Sequence, residues 1–190
     1  MDRPKKDGTL RPGIICDIRD RIYYQALCDS IASVIDEKLF PYGEKIVFSY
    51  RLNSSATNSK MFKKINDSYE DFVSHQMNLL NGGEYSYILE TDISSFYERI
   101  YQHKLIHLLQ GFGCDSLVVS AISALLRKWS QGISYGIPQD IGPSHLLGNS
   151  YLHTLDEYMI SDLTFKDMNK TTMQSLKKYY AQKSIRCDFV

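Results

Sequence analysis

Tyr85-Ser86-Tyr87-Ile88-Leu89-Glu90-Thr91-Asp92-Ile93-Ser94-Ser95-Phe96-Tyr97-Glu98-Arg99-Ile100 is the stretch on which the reading of the fold turns. Residues 85–93 are rich in aromatic and aliphatic side chains that suit a pleated, half-buried surface, and they predict a strand. That strand delivers Asp92 at its end, and the Ser94-Ser95 pair behind it carries hydroxyls of the kind that cap a helix. Asp92 then lies where a strand leaves a sheet, a usual place for an oxygen donor to a hard cation. A cap or turn role suits the same position, so this carboxylate alone does not choose between them.

On the N-terminal side, Ile22, Ala26, Leu27, Ile31, Val34, Ile35 and Leu39 recur at helical spacing, and Pro41 with Gly43 closes that segment. Lys45 to Arg51 is short, aromatic and β-branched and predicts a strand, followed by a polar loop over Asn53 to Ser59. Met61 to Leu80 predicts a helix with Phe62, Ile65, Tyr69, Phe72, Val73 and Leu80 on one side, stopped by Asn81-Gly82-Gly83. On the C-terminal side, helices are expected over Gln102 to Gln110 and Asp115 to Trp129. A Gly- and Pro-rich segment, Gly132 to Gly142, precedes a helix opened by Pro143-Ser144 and running through Leu146, Leu147, Tyr151, Leu155 and Tyr158. Beyond Leu163 the periodicity weakens, and no internal repeat is visible. The expectation is one mixed α/β (α+β) unit, helices packed on a small, mostly antiparallel sheet.

The chain has 190 residues, 43% of them hydrophobic and 23% charged, which is enough apolar surface for one core and argues against disorder. Cys16, Cys28, Cys114 and Cys187 are scattered without a Cys-X-X-Cys pair, so they read as free thiols. Lys plus Arg and Asp plus Glu each number 22, so composition lacks the basic excess usual in a dedicated nucleic-acid binder. Positive charge is denser near the start, where Arg3, Lys5, Lys6, Arg11, Arg19 and Arg21 face four aspartates. No apolar run is long enough to span a bilayer, and the polar start lacks a signal segment, so a cytoplasmic location is expected.

Four segments carry a more specific pattern. They are Arg11-Pro12-Gly13-Ile14 with Asp20 to Leu27; Phe48-Ser49-Tyr50-Arg51; Ile88 to Ile100; and Gly136-Ile137-Pro138-Gln139, with Ser144, Asn149 and Leu155-Asp156 following at set intervals. In this order they resemble the sequence blocks of reverse transcriptases, the RNA-directed DNA polymerases, especially the bacterial group with retron, group II intron and phage-defence enzymes. The last segment is the most specific, because Ser144 falls five residues beyond Gln139 and Asn149 five beyond Ser144, as the family spacing requires. One departure lies within it, Asp140 standing where the family usually has Gly.

The resemblance implies the fingers and palm of a right-hand polymerase over residues 1–190, with no counterpart of the thumb. By the same resemblance, Asp92 and the Ile93 carbonyl would bind Mg2+, Tyr97 would exclude the ribose 2′-hydroxyl, and Gln139 would shape the nucleotide pocket. Arg51 would contact the incoming triphosphate, a task suited to a planar fork of donors. Arg186-Cys187-Asp188-Phe189-Val190 is similar to the family's Arg-Tyr-X-Asp-Asp-Phe-Val but lacks the Tyr and one Asp. Either Asp188 completes a two-metal site with Asp92, or residues 164–190 are a divergent or truncated tail. The implied activity is template-directed addition of dNTPs to a primer 3′-hydroxyl, with an RNA template and a DNA or RNA primer as partners. The alternative is an inactive remnant that serves as a nucleic-acid or protein interaction module.

Overall fold

Asp17 starts the first long helix by accepting the amide N–H of Arg19 at 2.9 Å, which satisfies a donor that a helix start leaves unpaired. Helix α1 (Ile18–Lys38) then buries Tyr24, Cys28, Ile31, Ala32 and Ile35, one stripe at three- and four-residue spacing. The computed structural model describes residues 2–4, 10–12, 14, 16–53, 60–83, 89–139 and 141–163. Within them follow α2 (Ile65–Asn81), a single turn α3 (Phe96–Arg99), α4 (Gln102–Gly111), α5 (Ser116–Trp129) and α6 (Gly142–Tyr158). A π-helical turn, Met159–Leu163, extends α6.

The core is helix against helix: α1 packs on α5 and α6, and α4 packs on the same two. Val119, Ile122 and Leu126 of α5, Leu105 and Leu109 of α4, and Leu146 and Leu147 of α6 are all buried there. Asp115 caps α5 by accepting the N–H groups of Leu117 and Val118. Tyr24 meets Trp129 edge to face at 5.2 Å, and Lys128 and Trp129 both donate to Asp20 on α1. All the helices expected from periodicity are present, displaced by a few residues at their ends.

The expected α/β architecture is not. Among the described residues, strand pairing is confined to a hairpin of β1 (Asp2–Pro4) with β2 (Leu10–Pro12) and to isolated bridges such as Leu52 with Phe62 and Tyr101 with Tyr135. Among the described residues no palm-like sheet lies against the helices, which bury their apolar stripes on one another instead. The strand expected over Lys45 to Arg51 is replaced by turns, because Lys45 and Tyr50 take φ of 58° and 54°, left-handed values that no strand accommodates. The aromatic composition of that segment serves side-chain packing: Phe48 sets its ring against Tyr42, Phe72 and His75. Of the strand expected over Tyr85 to Ile93, residues 85–88 lie outside the described residues, Leu89 to Thr91 are exposed and irregular, and exposed Asp92 takes part in a single-residue β-bridge rather than a strand.

Arg51 ties the loop to α1. Its guanidinium is 3% exposed and donates through Nε to Asp36 Oδ1 at 2.7 Å, with further bonds to the carbonyls of Phe40 and Asp36. Asp36 also accepts the Leu52 amide. The Asp36 side chain is 24% exposed, so water partly solvates the carboxylate left unpaired, and Arg51→Met should lower unfolding free energy by about 2–3 kcal/mol. Arg51→Lys should restore only part of it, since an ammonium lacks the fork geometry. Urea denaturation followed by circular dichroism measures both.

Candidate functional site

The Gly- and Pro-rich segment before α6 is fastened to the end of the Asp92 block by main-chain bonds. Ile137 N–H donates to the Tyr97 carbonyl and Gly136 N–H to the Ile100 carbonyl, each at 2.9 Å. Gly136 holds φ of 89°, where an L side chain is strained, and an added Cβ would lie 3.4 Å from the Glu98 carbonyl. Buried Gln102 braces the same corner from below, donating to the carbonyls of Gly136 at 2.8 Å and Leu126 at 3.3 Å. Above it, Gln139 donates to Glu98 Oε1 at 3.2 Å.

The first half of α6 is where the other segments meet. Tyr97 Oη lies 2.6 Å from His145 Nδ1. The His145 ring stacks on Tyr50, with centroids 3.9 Å apart and planes within 9° of parallel. Asn149 donates to the Ser49 carbonyl at 2.9 Å, and Ser144, fully buried, shares a 3.2 Å hydrogen bond with Tyr24 of α1. Gly148 permits the close approach of Phe96, since a Cβ there would sit 3.1 Å from that ring. Three stretches, around Ser49-Tyr50, Phe96 to Ile100 and Gly136 to Asn149, thus converge on one helix.

Of the residues singled out from the sequence, Tyr97 and Gln139 belong to this convergence. Asp92 is exposed and Ile93 half-buried, just before the turn in which Ser95 adopts φ of 55° to lead into α3. Arg51 bonds elsewhere: its guanidinium donates to Asp36 and to the Phe40 carbonyl at the end of α1. Asp188 lies outside the described residues. The described residues contain no group of three His, Cys, Asp or Glu side chains that could hold a metal ion. Cys16, Cys28 and Cys114 are free thiols, each pushed upward in pKa by burial. His145, Tyr50 and Glu98 were not anticipated, although His145 directly follows the Ser144 of the most specific block.

A second feature adjoins this cluster. Ile65, Tyr69 and Phe72 of α2, Phe48 and Tyr50 of the intervening segment, and Asp156 of α6 line a cleft of about 430 Å³. Burial, with a smaller contribution from Glu157, pushes the Asp156 carboxyl up to about 6. A raised value means that the folded state holds this proton more tightly than the unfolded chain. Its stability is then full below the ordinary carboxylate range near pH ~4 and is lost as pH rises through about 6. Asp156→Asn should therefore raise stability at neutral pH by about 1 kcal/mol, a figure reduced for partial solvent screening. Thermal melts across the acid range should show the two proteins converging on acidification.

No family model, curated protein or solved structure matches the chain. Among the described residues, no helix is long and apolar enough to cross a membrane.

Proposed function

We propose that the chain is a reverse transcriptase fragment, a nucleotidyltransferase that adds dNTPs to a primer 3′-hydroxyl under the direction of an RNA template. The observation that supports this reading is the meeting, around the first half of α6, of three segments that resemble blocks of that family and stand far apart in sequence. In this reading Asp92 and the Ile93 carbonyl supply hard oxygen donors for Mg2+, and Asp188 supplies another. Among the described residues no group of three His, Cys, Asp or Glu side chains stands ready to hold that ion. Tyr97 has its hydroxyl anchored by His145, which holds the ring in one place, as a barrier to a ribose 2′-hydroxyl requires. Gln139, held by Glu98, belongs to the same nucleotide-facing corner.

A second reading, an inactive remnant acting as a nucleic-acid or protein interaction module, is favoured by the structural use of Arg51. The two are separated by extension of a DNA primer on an RNA template with the full chain and Mg2+. The enzyme reading expects extension that Asp92→Asn abolishes, with an unchanged circular dichroism spectrum; extension that survives Asp92→Asn removes Asp92 from the chemistry. If the intact chain extends nothing yet retards the primer–template in a gel, the remnant reading holds. In an active chain, Tyr97→Ala should raise the use of ribonucleotides relative to deoxyribonucleotides by at least about tenfold, the equivalent of ~1.4 kcal/mol of lost discrimination.

A further inference from the structure

We propose that the cleft between α2, residues 46–50 and the C-terminal half of α6 binds a small organic monocation with an apolar body. Its volume, about 430 Å³, falls within the ~300–1,000 Å³ range of small-molecule sites. Four aromatic side chains line it: Phe48, Tyr50, Tyr69 and Phe72. Their ring faces attract cations and accept apolar surface equally well. Asp156 is the single charged residue of the lining. The lining's one side-chain amide, that of Asn149, is already donated to the Ser49 carbonyl.

Charge chooses the occupant. Asp156 lies in the last turn of α6 and adjoins Glu157, so the charge at this end of the cleft is negative. No described cation pairs with it. The basic and acidic groups nearby are otherwise engaged: on its own helix His153 faces Glu157 at 3.5 Å. Across the cleft on α2, His75 lies against the Phe48 ring and Asp71 faces Lys45 at 3.8 Å. Lys45 in turn rests over the Tyr42 and Phe48 rings at 4.8 and 5.9 Å. Residues 46–50 contribute no charge. An ionised carboxylate held against an apolar, partly desolvating wall gains from a cation beside it, and an anion would meet only repulsion. This inference does not rest on the polymerase reading.

Titration calorimetry of the full chain with phenethylamine, and with phenethyl alcohol as a neutral match in shape, tests it. The amine should bind saturably at about pH 7.5 and about tenfold more weakly at about pH 5, where the proton competes for Asp156. Asp156→Asn should lose about tenfold in affinity together with the pH dependence. Phe72→Ala should weaken binding and keep the pH dependence. Equal affinity for amine and alcohol, pH-independent binding, or full affinity in Asp156→Asn overturns the proposal. Absence of saturable binding overturns it as well.

Discussion

The first half of α6 is buried over most of its surface, and that burial governs what its sequence can contain. Ser144, Leu146, Leu147 and Ser150 are fully enclosed, so each hydroxyl needs an internal partner: Ser144 has Tyr24 and Ser150 has the Leu146 carbonyl. Gly148 is small because the Phe96 ring occupies the space a larger residue would take. A serine at a fixed distance from a glutamine, with an asparagine at the same distance further on, reflects three demands made on one helix. Ser144 meets α1, Asn149 meets the segment before Arg51, and Gln139 meets the end of the Asp92 block.

Much of the helical framework was legible, because apolar residues at three- and four-residue spacing report burial on one face regardless of what covers that face. The covering was not legible. Lys45 to Arg51 has strand composition, but aromatic and branched side chains serve a loop equally well when their rings have somewhere to pack. Phe48 packs on Tyr42 and Phe72 rather than on a neighbouring strand. Positive φ at Lys45 and Tyr50 was also invisible, since neither residue type advertises it.

The site was legible in part, for a related reason. The order of the blocks anticipated that Tyr97 and Gln139 would share a neighbourhood, and main-chain bonds from Gly136 and Ile137 place them there. The bonding of Arg51 was not legible, because a guanidinium that suits a triphosphate suits a carboxylate as well, and Asp36, fifteen residues earlier, carries no local mark as its partner. His145 carries no mark in the sequence, because a lone histidine has no spacing. Its role comes from Tyr50 and Tyr97, which reach it from different parts of the chain.

The separation of partners along the chain has a kinetic consequence. Gln102 bridges to Leu126 across 24 residues, whereas the Tyr24 to Ser144 bond closes a loop of 120. Closing the longer loop costs more chain entropy before any contact is gained. The α4–α5–α6 portion is therefore the natural nucleus during folding, and α1 docks onto it late, when Tyr24 finds both Trp129 and Ser144 already in position.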